Sequence, residues 1–450
     1  MTRTGQIALG AFLSGTGANG ASWRLPEAEP AQASSFALYA RVAQKLEAGK
    51  FDTLFMNDSV GVHEMDPAVL SRNAQAQRWD PLTLLPALAV VTSRIGLTAT
   101  ANTTYNEPYT LARRFASLDQ ISGGRAGWNA VTSLGGGENY NRDDHVLHEE
   151  RYIRAEEFMD VVTALWDSCE DDAAIMDKAS GMWLDVAKIH RINHRGTYFQ
   201  VRGPLNAPRP VQGHPVITQA GSSAAGRELA ARTAEVIFTA AQTIDEAVEF
   251  CADIAARAAK YGRRREDFRI LPGCSVVVAA TQAAAEAKYD RLHGMQDPVS
   301  ALRSLSRFAS LGVDLSQYDL DGPVPLPAHI EITNTHRSRQ QLVIDLIRRE
   351  RPTIRQLWRS MTAGGHRLLI GTPESIADNF ALWFEAGAGD GFNIMFPEIP
   401  GCVDDFVDLV VPELQRRGLF RTEYEGTTLR DHLLLPRPAS RFAAHQEAGQ

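Results

Sequence analysis

The chain has 450 residues, 44% of them apolar and 22% charged, a balance that builds a sizeable core and excludes a chain disordered over its length. Its 54 acidic and 46 basic residues leave a formal charge of −8, so no global field draws it to nucleic acid or to an anionic membrane. Four cysteines, at 169, 251, 274 and 402, match neither a zinc-ligand spacing nor the disulfide framework of a small secreted domain, which suits a reducing cytoplasm.

Short apolar runs alternate with helical periodicity along most of the chain, the pattern of βα units around a parallel sheet. Strands are predicted at 7–13, 53–57, 95–101, 126–131, 216–220, 236–240, 269–278 and 391–396. The first run follows Arg3 and has the outline of a signal peptide, but it is short and weakly charged and reads better as a strand. No run approaches the roughly 20 apolar residues that span a bilayer.

Helices are predicted at 36–48, 82–93, 108–121, 149–166, 226–233, 244–261 and 373–386. Two of them start from an N-cap followed by proline, at Asp80-Pro81 and Thr372-Pro373. Segments near 169–213 and 283–368 are too long for simple connections and read as insertions, the second holding helical stretches at 302–311 and 338–349. Eight βα units predict an α/β fold, a (β/α)8 TIM barrel occupying 1–435 as a single domain with a C-terminal tail at 436–450. Insertions on a barrel cover a substrate mouth or form oligomer contacts. The basic runs at 263–265 and 348–351 read as solvated helix faces.

Gly15-Thr-Gly17-Ala-Asn-Gly20 satisfies the dinucleotide pattern GxGxxG after a predicted strand. Its context fails. Pro26 and Pro30 follow where a long helix should open, and no acidic residue ends a second strand about twenty residues on. The stretch is expected to be a loop at the top of the first strand.

Polar residues collect where barrel sites lie, at the C-terminal ends of strands. ISGGRAGWNAVTSL at 121–134 turns through two glycines into a buried strand that ends in Asn129, Thr132 and Ser133. Taken alone it is equally a glycine-rich connection into an ordinary core strand. Asp58 ends the second strand, and Thr103 and Thr104 follow the third; both places also suit loop caps. His148 and Tyr152 open a helix four residues apart, on one face. HExxH zinc chemistry would need histidine at 152, so no metal is expected. QAGSSAAG at 219–226 leads into a helix with free amides, two hydroxyls and little bulk, a suitable cradle for phosphate, although Ser222 alone would serve as an N-cap.

SGGRAGWNAVTS closely resembles the signature of the nitrilotriacetate, dibenzothiophene-sulfone and pristinamycin-type flavin monooxygenases, a branch of the bacterial-luciferase-like superfamily. The similarity continues through GTPESIAD at 371–378, GFNIMFP at 391–397 and LVVPELQRRGLFRTEY at 409–424. The resemblance implies that Asp58 and Thr104 lie by the flavin ring, that His148 and Tyr152 face FMN with the tyrosine near its phosphate, and that Ser222 and Ser223 bind that phosphate. Asn129 and His63 are the candidate catalytic residues, with Asn19 and Trp79 as further pocket candidates.

The implied reaction is that of a two-component monooxygenase. Reduced FMN comes from a separate NAD(P)H:flavin reductase, O2 is the co-substrate, and a flavin C4a-(hydro)peroxide passes one oxygen to a small organic molecule. A homo-oligomer is implied as well. One departure matters: relatives carry histidine in the first-strand loop and a Trp-Arg-His-Pro sequence, whereas this chain has Thr16-Gly-Ala-Asn-Gly20 and Trp23-Arg-Leu-Pro26, so histidine roles there do not transfer. Two other readings stay open: hydride transfer with the deazaflavin F420 on the same barrel, and a flavin-binding barrel without catalysis.

Overall fold

The computed structural model describes residues 5–28, 35–62, 65–133, 135–141, 146–331, 333, 337–361 and 364–442, with backbone alone at 337 and 338. Eight parallel strands form a closed barrel: β1 (Ala8–Leu13), β2 (Thr53–Met56), β3 (Gly96–Asn102), β4 (Ala126–Val131), β5 (Val216–Gln219), β6 (Val236–Thr239), β7 (Arg269–Val278) and β8 (Gly391–Met395). Each strand pairs with its neighbours in sequence, β8 pairs with β1, and β6 pairs with β7, so no edge of the barrel is left open. The predicted strands match these to within one residue.

Helices α1 (Phe36–Ala48), α2 (Pro81–Val91), α3 (Pro108–Ser122), α4 (His148–Asp167), α5 (Ala224–Thr233), α6 (Ile244–Ala259), α7 (Gln282–Gly294) and α8 (Pro373–Glu385) surround it. The caps read from the sequence are made: Asp80 accepts from the Thr83 amide and Thr372 from the Ser375 amide. No helix among the described residues is long and apolar enough to cross a membrane.

Two apolar layers hold the barrel. The larger lies between strands and helices, with Trp128, Phe115, Phe158 and Trp166 fully buried. The smaller fills the lower lumen, where Ala8, Phe55, Val216, Val236, Phe238 and Leu271 meet Leu429, Leu433 and Leu435 from the chain's end. That plug is anchored by Arg430, buried to 2% exposure, which donates to both carboxylate oxygens of Glu235 at 2.6 and 2.8 Å and to the His214 carbonyl. The N-terminal end of the barrel is therefore shut, and access is from the other end.

The signature strand owes much of its composition to packing. Gly123, at φ +66°, ends α3 in the left-handed conformation. Arg125 is 2% exposed and donates to Ser122 O, Ile95 O, Ala89 O, Thr92 O and Thr92 Oγ1, tying the end of α2 to the base of β3 and β4. A side chain on Gly127 would overlap Thr98 on β3. Trp128 points out to the helices while Gly127 and Asn129 face the lumen, as strand alternation requires.

The long segment read as one insertion at 283–368 is partly barrel, which corrects that expectation. It begins within α7, which packs on β7, and ends in a further strand, Arg367–Gly371, paired with Cys274–Val278. β7 reaches this far because its first half pairs with β6 and its second half, beyond the end of β6, takes the extra strand instead. Only Leu368, Leu369 and Ile370 marked it, too short a run to separate from helix by periodicity. Between them, helices Pro298–Ala309, Arg337–Glu350 and Ile354–Met361 share a core of their own around Leu305, Ile347, Leu357 and Trp358. The other insertion folds into two short hairpins, Ala174–Asp177 with Met182–Leu184 and His194–Arg195 with Gln200–Val201. Residues 436–442 lie along it, with Arg437 on Asp171, Arg441 on Asp167 and Phe442 stacked on His190 at 4.2 Å.

Candidate active site

At the open end of the barrel the strand termini present polar groups in sequence order. Asn129 is 3% exposed on the inner face of β4; its Nδ2 donates to Thr100 Oγ1 at 2.9 Å, and its Oδ1 has no hydrogen-bond partner among the described residues. Thr104 is 2% exposed, and its hydroxyl donates to the Thr132 carbonyl at 2.7 Å, joining the loops after β3 and β4. Two acceptors that lie within quoted motifs but were given no role there share this condition: Gln219 Oε1 at the end of β5, and Asn393 Oδ1 on β8, which lies over Gly10 of β1. A polar residue at a strand's last position was the available signal for Gln219.

Asp58 belongs to a second group. Burial is the main cause that pushes its carboxyl above the usual range, the Ser59 amide opposes this, Asp80 adds to it, and Arg78 opposes it. Tyr140 stacks on Tyr105 at 4.8 Å nearby, its phenol raised by burial and then by Asp58 and Asp80. Arg78 had no motif to announce it, and only the fold sets it beside Asp58.

The third group is built at a helix start. His148, buried in the first turn of α4, and Tyr152, one turn on, have ring centroids 4.9 Å apart. The Tyr152 hydroxyl reaches the loop before α5, where Gly221 and Gly226 pack so closely that a Cβ on either would stand 2.9 Å from the other's Cα. Ser223, rather than Ser222, is the N-cap of α5, accepting from the Gly226 amide at 3.1 Å, and its hydroxyl proton stays available to donate. The Ser222 carbonyl is held by Arg227 Nε at 3.0 Å.

Other expected residues are placed as follows. His63 lies outside the described residues. Asn19 is 2% exposed and spans to the Leu292 carbonyl and the Ala21 amide, a brace between the first loop and α7. Trp79 packs on Tyr39 at 5.5 Å. The GxGxxG stretch is a packing loop: Ala18 and Asn19 donate to Phe396 O and Pro397 O, and a Cβ on Gly17 would overlap that backbone.

This donor set suits a flavin mononucleotide. A helix N-terminus, a phenol, a serine hydroxyl and a glycine pair with no side-chain bulk match a phosphate, and unpaired acceptors and a carboxyl raised by burial at the ends of β2 to β5 match a polar ring edge. The fold and the site together define a flavin-binding (β/α)8 barrel.

Comparison with known proteins sharpens that class. The family model for luciferase-like monooxygenase matches residues 20–390. Nitrilotriacetate monooxygenase component A of Aminobacter aminovorans is 50% identical over 97% of this chain and 98% of its own length. N-acetyl-S-(2-succino)cysteine monooxygenase of Bacillus subtilis is 48% identical, again over 97% and 98%. Among solved structures, a riboflavin lyase with modified FMN and riboflavin superposes with a TM-score of 0.83 at 32% identity, covering 96% of each chain. The chain belongs to the luciferase-like monooxygenase family. It is a flavin-dependent monooxygenase, which sets aside the F420 hydride-transfer alternative.

Proposed function

We propose that the chain is the oxygenating component of a two-component system that takes reduced FMN from a separate NAD(P)H:flavin reductase and inserts one atom of O2 into a small organic substrate. The observation that carries this reading is the Tyr152 hydroxyl set against the Gly221–Gly226 contact at the N-terminus of α5. When bound there, reduced FMN supplies the electrons that activate dioxygen, which no protein side chain here does.

The chain's own residues bind and orient. Tyr152 and Ser223 donate O–H to the phosphate, the α5 amides and dipole add to them, and Ser222 lines the same loop. His148 braces Tyr152 through its ring. Asn129 and Thr104 would hold the polar edge of the ring system, with Asn129 Oδ1 an acceptor for a ring N–H, and Asp58, its carboxyl raised by burial, would stand beside it. His63 is assigned to the substrate side on resemblance alone. The helical insertion, which has an apolar core of its own, is assigned to covering this mouth and keeping bulk water from the reacting atoms.

The packing role of the GxGxxG loop supports a separate source of reduced flavin. An exposed hairpin carrying Met176 and Trp183 at 65% exposure, followed by Val186 at 82%, supports a homo-oligomer. Four free cysteines support a cytoplasmic setting. The test is to saturate the anaerobic protein with reduced FMN and mix it with oxygen in a stopped-flow instrument. Recovery of oxidised-flavin absorbance much slower than in free solution is expected; recovery at the free rate would leave a binding-only barrel.

A further inference from the structure

Midway along β7, Gly273 faces the lumen, two residues after Leu271 of the inner core, and a Cβ there would overlap the ring of His366. His366 immediately precedes the extra strand Arg367–Gly371, so the ring fills the place of a missing side chain on the barrel wall. Across the strand pair stands Asn393 with its unpartnered Oδ1.

From the insertion above, Arg339 reaches down to this point. Its Nη2 donates to His366 Nε2 at 2.6 Å and its Nη1 to the Gly365 carbonyl at 3.1 Å. A guanidinium only donates, so Nε2 is the acceptor and the ring proton sits on Nδ1. Nδ1 lies against the Gly273 backbone without a hydrogen bond of good geometry. Enclosure holds His366 well below its ordinary pKa, with Arg339 as the second cause, so the ring is neutral.

Both partners of Arg339 are therefore neutral, and among the described residues no carboxylate faces it. Enclosure alone lowers its guanidinium, to about 10, with no acid pulling it back. Two other enclosed arginines of this chain meet acids, Arg209 at Asp167 and Arg430 at Glu235, whereas Arg125 is held by four carbonyls and a hydroxyl that use all its N–H groups. Arg339 and His366 nevertheless keep part of their surface accessible, and three of the five guanidinium N–H groups are uncommitted. A partly shielded cation with no counter-charge among the described residues is stabilised by an arriving anion.

We propose that Arg339, positioned by His366, binds a carboxylate of the substrate, which makes the molecule oxidised here a carboxylic acid rather than a neutral hydrocarbon, sulfide or sulfone. The proposal rests on the oxygenase reading above, and it assigns the insertion a recognition role as well as a covering one.

Isothermal titration of the FMN-loaded full chain tests it, with nitrilotriacetate and N-acetyl-S-(2-succino)cysteine as probes, each beside its carboxamide counterpart. At least one acid is expected to bind ten-fold or more tighter than its amide. Arg339→Gln should weaken the acid at least ten-fold and bring the acid-to-amide ratio near one, a change of ratio that a general folding defect does not produce. His366→Ala should share the defect, and His366→Gln, which restores an acceptor near the Nε2 position, should recover it. Neither acid binding at millimolar concentration, or an unchanged ratio in Arg339→Gln, overturns the proposal. FMN affinity measured in the same samples separates the two readings: FMN bound without acid selectivity fails this inference alone, whereas Arg339-dependent acid binding without FMN keeps the anion site and fails the oxygenase.

Discussion

The Tyr152 hydroxyl stands 3.1 Å from the position a Cβ on Gly226 would occupy, so a side chain of one helix ends on the N-terminus of the next. Hydrogen bonds to an ionised phosphate each contribute about 1.5–3 kcal/mol. Replacing Tyr152 by Phe and Ser223 by Ala together is expected to weaken reduced-FMN binding by about 100-fold or more on that scale. Anaerobic fluorescence titration measures it, and an unchanged affinity removes these residues from the phosphate site.

Gly226→Ala tests the cradle itself. Alanine gains about 0.5–1 kcal/mol of helix propensity, but its Cβ meets the Gly221 backbone, which cannot step aside as a flexible side chain would. Overpacking costs about 1–3 kcal/mol and wins. The variant should melt lower than the native chain and bind FMN at least ten-fold more weakly; a stabilised variant with native affinity would show that the glycine contact is incidental.

The most recognisable residue of the signature, Arg125, makes a structural prediction. Its five donated bonds all end on the closed side of the barrel, so Arg125→Met strands buried carbonyls far from any ligand. A loss of about 3–5 kcal/mol in urea unfolding is expected. FMN affinity of the folded protein should stay native, and a selective loss of binding without destabilisation would contradict this assignment.

His432 sets a pH limit. It is 3% exposed in the plug, and burial first and Arg421 second hold it down to about 4, against 6.5 for a free imidazole. The unfolded chain then takes up a proton before the folded one does. Its contribution is intact above about pH 6.5 and is lost as pH falls toward 4, by up to about 3 kcal/mol. Carboxyls raised by burial, such as Asp52 and Asp119, act in the opposite sense, so the measurement is the difference between native and His432→Gln chains. Urea midpoints at pH 7.5 and 5 should converge between the two on the acid side; parallel curves would discount His432.

The sequence alone determined the barrel, because strand and helix periods, caps such as Asp80 and Thr372, and glycine turns are local properties of a short window. It also singled out 148–152 and 219–226 one by one, since a helix face and a glycine-rich helix start are read from spacing, while their pairing was implied by the family resemblance. Tertiary structure decided the rest. Ser223 rather than Ser222 became the cap, Asn19 became a brace, and Arg125 became the tie between α2 and the closed end of the barrel. Arg78 beside Asp58, and Arg339 above Gly273, join residues from separate segments with no shared motif. Such pairs are set by where the closing barrel and the insertion's own core bring distant backbone together, and long-range packing leaves no period in the chain to read.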